Sequence, residues 1–162
     1  MIKILISGIF GHTGRNVAEL VEADKDCSLL CGVDLRAGEM NGAPVYASFA
    51  DVKEKADAVI DFSSASNLKN VLAYAEKFNC PAVLAATGYT DADLKEIDEA
   101  SKKVALFKTA NLSVGINLLQ KLVKEAAAFL GEAFDIEIVE KHHNPKKDAP
   151  SGTALMLAKS VN

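Results

Sequence analysis

Ile2-Lys3-Ile4-Leu5-Ile6-Ser7-Gly8-Ile9-Phe10-Gly11-His12-Thr13-Gly14 decides the fold. An apolar run ends in three glycines spaced three apart, and an amphipathic helical segment follows from about Thr13 to Ala23. Glycine permits a tight turn and lets backbone approach a pyrophosphate, while a helix N-terminus offers unpaired N–H groups and a positive dipole end. The spacing is G-x-x-G-x-x-G, not the commoner G-x-G-x-x-G, and glycine clusters of this kind also make ordinary turns. Asp34 shifts the balance. It ends a second apolar run, Ser28 to Val33, twenty residues beyond Gly14. In a Rossmann unit an acid there accepts hydrogen bonds from the adenosine ribose. The alternative is a loop aspartate, since Gly38, Asn41 and Gly42 follow. With glycines and acid in register, the expectation is dinucleotide binding. A carboxylate at 34 repels a 2′-phosphate, so NADH is the preferred cofactor. Arg36 partly offsets this and leaves NADPH possible.

Outward from this turn, further strand-like runs cover Ala58 to Phe62, Ala82 to Ala86 and Val104 to Phe107. Helices fit between them. Ser48 with Asp51 reads as a capping box for a short helix, and Ser66 or a neighbour caps one carrying Leu68, Val71, Leu72 and Ala75. Thr90 and Asp93 form another capping signature ahead of Leu94 and Ile97. This βαβα rhythm, with short continuous apolar strands, predicts an α/β fold: a Rossmann-type, doubly wound parallel sheet covered on both faces. The rhythm changes after Asn111. A long helix is expected from about Ser113 to Leu130, a half-exposed strand over Phe134 to Glu140, and an apolar helix from about Ser151. The predicted organisation is a dinucleotide-binding domain over 1–110 and the beginning of a second α+β domain, for substrate and oligomerisation, over 111–162. One helix, one strand and a second helix do not bury their apolar faces alone, so the second domain reads as incomplete.

Composition narrows the class. The chain has 162 residues, 49% hydrophobic and 25% charged, as a globular protein has. A net charge of −4 argues against nucleic acid as a partner. No run approaches the ~18 uncharged apolar residues of a membrane span. The opening apolar run meets a glycine turn with no small-residue cleavage site, which fits a strand better than a signal peptide. Cys27, Cys31 and Cys80 are odd in number and lie in apolar settings, as reduced thiols of a cytoplasmic protein do. No Cys/His spacing suggests a metal.

The segment richest in chemistry is Glu140-Lys141-His142-His143-Asn144-Pro145-Lys146-Lys147-Asp148-Ala149-Pro150-Ser151-Gly152-Thr153-Ala154. Two histidines and three lysines fall between Lys141 and Lys147 in an otherwise acidic chain. Histidine exchanges protons near neutral pH, and a lysine acts as a general acid once neighbouring positive charge lowers its pKa. Ser151-Gly152-Thr153 opens the next helix, where amides and hydroxyls suit a carboxylate. Together they describe a site for a small, multiply anionic substrate. The plainer alternative is a solvated basic loop with a helix cap.

The same segment resembles the signature of the dihydrodipicolinate reductase family, E-x-H-H-x-x-K-x-D-A-P-S-G-T-A. Three other segments agree with the family in order: the glycine turn; Ala85-Ala86-Thr87-Gly88-Tyr89, similar to its G-T-T-G-F/Y; and Ala110-Asn111-Leu112-Ser113-Val114-Gly115-Ile116-Asn117, similar to its N-F-S-x-G-V-N. The resemblance implies reduction of a dihydrodipicolinate-type dicarboxylate to tetrahydrodipicolinate with NADH or NADPH, in lysine and diaminopimelate biosynthesis. It gives His142 and Lys146 the catalytic positions, with Lys146 the proton donor. His143, Ser151, Gly152 and Thr153 take substrate positions. Gly8, Ile9, Phe10, Gly11, His12, Thr13, Asp34, Ala85, Ala86, Thr87, Thr109, Ala110, Asn111 and Leu112 take cofactor positions. It further implies a cytoplasmic homotetramer for the full-length protein, and family members that continue past this point. His12 and Thr13 stand where the family usually has a basic residue and Met, and Ala85-Ala86 where it has Gly-Thr. Two alternatives remain: another small-substrate dehydrogenase on this fold, and a non-catalytic nucleotide- or CoA-sensing module. Neither accounts for paired histidines beside a lysine.

Overall fold

In the computed structural model, which describes residues 1–144, 146 and 149–161, the opening run is strand β1 (Ile2–Ser7). Side chains alternate across a strand, and β1 feeds two cores. Leu5 joins one buried cluster with Val59, Val71, Leu72 and Leu84, whereas Ile4 and Ile6 join another with Ile9, Ala18 and Val21. A strand apolar on both faces belongs in the middle of a covered sheet, and β1 lies there. On one side it pairs in parallel with β2 (Cys27–Val33), and on the other with β5 (Ala58–Asp61). Beyond β5 lie β6 (Ala82–Leu84) and β7 (Leu106–Lys108), also parallel. Helix α1 (His12–Ala23) lies against β1 and β2, α2 (Leu68–Phe78) against β5 and α3 (Asp91–Ser101) against β7.

The far edge differs from expectation. Gly38 to Gly42, read as a turn-rich loop, lies in a hairpin of β3 (Gly38–Met40) and β4 (Ala43–Tyr46). Asn41 (φ 51°) and Gly42 (φ 76°) form its two-residue connection, as an Asn-Gly hairpin turn requires. β4 pairs with β2, so the sheet order is β3-β4-β2-β1-β5-β6-β7, with β3 alone antiparallel.

Capping expectations divide. Thr90 and Asp93 make the full reciprocal box at the start of α3. Ser48 caps only a three-residue 3₁₀ turn, Phe49–Asp51, by accepting from Ala50 N–H, with no reciprocal bond from Asp51. A second 3₁₀ turn, Ala65–Asn67, precedes α2, so Ser66 lies inside a turn and no side chain caps the helix.

The chain divides into two compact units, Met1–Thr109 and Ala110–Asn162. The second contains α4 (Val114–Leu130), capped by the Ser113 hydroxyl, and α5 (Gly152–Val161). The strand expected over Phe134 to Glu140 is absent among the described residues. Alternation supplies a suitable face, but a strand also needs a neighbouring backbone ladder, and this segment has none there. No described helix is long and apolar enough to cross a membrane.

Candidate active site

In the first unit a cavity of about 390 Å³ opens beyond the C-terminal ends of β1, β2 and β5, lined among others by Gly8, Gly11, Asp34, Phe49, Ser63 and Asn67. Strand order reverses about β1 here, the position at which open α/β sheets bind ligands. The glycine turn is tight for a physical reason. A Cβ on Gly14 would come within 2.1 Å of Gly8 O, and one on Gly8, already at φ +77°, within 2.9 Å of the Phe62 backbone. Only glycine lets the three segments meet so closely. Helix α1 starts at Gly11 with no side-chain cap and no acid in its first turn. Its N–H end is thus left for an anion.

Asp34 is already engaged. Its Oδ2 accepts from Phe10 N–H at 2.8 Å and its Oδ1 from Leu35 N–H at 2.7 Å. The carboxylate braces the glycine turn and retains lone pairs for a further donor. Phe10 is held from three sides: Arg15 Nε donates to its carbonyl, the Arg36 guanidinium stacks 5.3 Å from its ring centroid, and Gly38 lies beneath. Ile9 is fully buried, its side chain against Gly32, and does not line the cavity. His12, Thr13, Ala85, Ala86 and Thr87 do not line this cavity. The first two and Thr87 are exposed, and Ala86 is buried. Thr109 N–H donates to Leu84 O at 3.1 Å, which ties the end of this unit to β6.

In the second unit the polar loop is fastened to α5. Glu140 Oε1 accepts from Ser151 N–H at 2.9 Å, and Glu140 Oε2 lies 3.7 Å from His142 Nδ1. Hydrogen bonds from the Ser151 side chain and then its backbone hold the Glu140 carboxyl below the ordinary range, with His142 and Lys146 adding to the effect. Ser151, buried, caps α5 by accepting from Ala154 N–H. The half-buried Lys146 donates its N–H to His143 O at 3.1 Å. Asn111 Nδ2 donates to Thr153 Oγ1 at 2.8 Å, joining the entry of the unit to the Ser151-Gly152-Thr153 turn. Ala110 and Leu112 flank this anchor. Pro145, Lys147 and Asp148 lie outside the described residues. Among the described residues no three His, Cys, Asp or Glu converge to hold a metal ion.

Reasoning from sequence alone passes over two elements of this arrangement. Ser63 and Asn67 line the cavity from the loop after β5, a place signalled by the polar run Ser63-Ser64-Ala65-Ser66-Asn67. Glu140, the first residue of the signature segment, links His142 to α5.

A family description, dihydrodipicolinate reductase N-terminus, matches residues 2–112, and its companion, dihydrodipicolinate reductase C-terminus, matches 115–162. The chain is 49% identical over its full length to the 4-hydroxy-tetrahydrodipicolinate reductase of Caldanaerobacter subterraneus subsp. tengcongensis, and covers 64% of that protein. It is 41% identical, over 99% of its length, to the reductase of the same name from Clostridium perfringens strain 13, again covering 64%. The chain thus spans less than two thirds of the length of these curated relatives. Among solved structures, the dipicolinate-bound dihydrodipicolinate reductase of Paenisporosarcina sp. TG-14 superposes with a TM-score of 0.78 at 26% identity, over 99% of this chain and 65% of that one. Aspartate dehydrogenase of Thermotoga maritima shares the fold at a TM-score of 0.58 and 16% identity, over 77% of this chain and 52% of that one. The match of both descriptions in register across nearly every residue, on this sheet and this cavity, makes the chain a member of the dihydrodipicolinate reductase family.

Proposed function

We propose that the protein reduces 4-hydroxy-tetrahydrodipicolinate, the dihydrodipicolinate-type intermediate of lysine and diaminopimelate biosynthesis, to tetrahydrodipicolinate with NAD(P)H, NADH preferred. The observation that carries this is the fastening of the His142-His143-Lys146 loop to α5 through Glu140 and Ser151. This supports the reading because Glu140 holds His142 near the start of α5, with Lys146 close enough to act on the same carboxylate, so that a dicarboxylate would meet charge and N–H donors together.

The first-unit cavity suits the cofactor. Of the proposed cofactor residues, Gly8, Gly11 and Asp34 line it and would meet the pyrophosphate and the adenosine ribose. His12 and Thr13 at the start of α1, and Ala85 to Thr87 with Thr109 to Leu112, lie outside that lining and are assigned to the pyrophosphate and the nicotinamide end by the resemblance. Bound there, the nicotinamide supplies a hydride. His143, Ser151, Gly152 and Thr153 hold the substrate carboxylates. The 4-hydroxyl leaves as water to give the conjugated dihydrodipicolinate-type imine that accepts the hydride. His142 adds positive charge where negative charge develops, and the Lys146 ammonium transfers its proton to the reduced substrate. Lys146 then regains a proton from solvent. The same reading has the full-length protein act as a cytoplasmic homotetramer.

The test is direct excitation of bound NADH, since the chain has no tryptophan to transfer energy, with and without pyridine-2,6-dicarboxylate. The dicarboxylate is expected to tighten NADH binding, and no effect on affinity would count against the reductase in favour of a nucleotide sensor. In the full-length enzyme Lys146→Ala should lower kcat by roughly 10²–10⁴ while NADH affinity stays nearly constant. Lys147→Ala, next door but at no fixed position of the signature, should be mild. Equal damage from both would mean that the loop acts only as diffuse positive charge.

A further inference from the structure

Asp61 ends β5 beside Ser7 of β1 and Leu84 of β6, in the middle of the sheet. Its side chain is fully buried. Oδ1 accepts from Ser63 N–H at 3.1 Å and from the Ser63 hydroxyl at 2.5 Å. Asn67 extends the network by donating to Ser7 Oγ at 3.2 Å and Ser63 Oγ at 3.3 Å. Ser63 and Asn67 are walls of the cavity, so one oxygen of Asp61 already sets one side of it.

The other oxygen, Oδ2, has no partner. Among the described residues one other buried side-chain polar atom is in this state, the Tyr89 hydroxyl. One orphan is an acceptor and the other can donate. Asp61 has the parity of Val59 on β5, and Val59 belongs to the cluster against which the Tyr89 ring packs, so both lie on the α2 and α3 face. Burial, then the Asp61 and Asp93 carboxylates, push the Tyr89 phenol up, which keeps it a donor. Asp93 is the competing acceptor, and its Oδ2 is already taken by Thr90 N–H and Oγ1. Tyr89 follows Gly88, exposed at φ +84° with open space about it, so the backbone is free to adjust there. An unpaired buried polar atom is costly, and an adjustment of this loop that joined the two would pair both at once.

We propose that Asp61 is a positioning residue for the cofactor: its Oδ2 accepts from the Tyr89 hydroxyl in the loaded enzyme, so that one buried carboxylate sets both the Ser63–Asn67 wall and the Ala85–Tyr89 loop. The inference rests on the NAD(P)H reading above. Its test is Tyr89→Phe in the full-length enzyme, which keeps the packed ring and removes only the hydroxyl. NADH dissociation constants and melting temperatures with and without NADH are read together. Expected is NADH affinity weakened about tenfold, no fall in the melting temperature of the free enzyme, and a smaller rise on adding NADH. Asp61→Asn keeps the shape and an oxygen for Ser63 and turns an NH2 toward the Tyr89 hydroxyl, which can accept from it. The loss should therefore be restricted to a few-fold, and adding Tyr89→Phe to it should cost less than Tyr89→Phe alone. Unchanged affinity in Tyr89→Phe, or an equal fall in melting temperature with and without NADH, overturns the inference and leaves the cofactor reading standing. A parent enzyme that binds neither NADH nor NADPH overturns both.

Discussion

Asp34 has two roles that a substitution must separate. Its carboxylate braces Phe10 N–H and Leu35 N–H, and on the proposed function it also faces the adenosine ribose. Asp34→Ala would remove the charge and the brace together, so affinity for both cofactors would fall and the preference would be hard to read. Asp34→Asn keeps an acceptor for Phe10 N–H and removes the charge, giving up only the bond from Leu35 N–H at an exposed position where water can replace it. The ratio of kcat/KM for NADPH over NADH should then rise about tenfold, as expected from loss of roughly 1.4 kcal/mol of repulsion toward a 2′-phosphate at a half-exposed group. Arg36 is held over the Phe10 ring, and on the proposed function it would meet that phosphate. Steady-state constants for both cofactors decide the matter, and a parent enzyme that already prefers NADPH would refute the assignment. Asp34 itself was legible from its spacing to Gly14, whereas its grip on the loop was not, because a hydrogen bond across 24 positions leaves no trace in a linear pattern.

Glycines within one strand–turn–helix element do different work. At Gly14 a methyl group would strike Gly8 O at 2.1 Å and Ile9 Cα at 2.8 Å, all backbone, which cannot yield cheaply. At Gly11 the nearest atom is Gly8 O at 3.1 Å, and the residue faces the cavity. Gly14→Ala should therefore destabilise the fold by about 1–3 kcal/mol, seen as a melting temperature several degrees lower. Gly11→Ala should melt nearly as the parent does but bind NADH weakly, since on the proposed function the methyl would intrude where the pyrophosphate approaches. Equal melting losses in both variants would contradict this division. Elements with their own local signals were the legible ones: β1 and α1 from the glycine turn, α3 from Thr90 and Asp93, α4 from Ser113 and its stripe. The β3–β4 hairpin was missed although Asn41-Gly42 announces it, because strands of three and four residues are too short for period-two alternation to stand out. Phe134 to Glu140 erred the other way: alternation was clear, but alternation describes a face, and a strand is made by its neighbour.

The two units differ in what holds them. In Met1–Thr109 the core runs from Ile4 to Val104 and fills both faces of the sheet, each fully buried Leu, Ile or Val contributing about 1.5–3 kcal/mol. In Ala110–Asn162 no residue of α4 or α5 is buried, and Val114 (84%) and Phe129 (90%) stand almost wholly exposed. Backbone hydrogen bonds resist exchange only where opening them uncovers packed apolar surface. The 162-residue chain should therefore show graded protection in amide hydrogen exchange. Ile4 to Ile6, paired with β2 on one side and β5 on the other, should be among the last amides to exchange. Amides of α4 should exchange earlier despite their helical bonds, and Ile136 to Glu140, outside any described ladder, earliest of the three. The full-length protein supplies the comparison: protection gained over Ile136 to Glu140 there, with none gained in β1, would mean that this segment acquires a ladder partner from outside residues 1–162. If instead Ile136 to Glu140 is as protected as β1 in the 162-residue chain alone, a second copy must be supplying that partner. Exchange repeated across a dilution series would then show its protection falling as the copies separate.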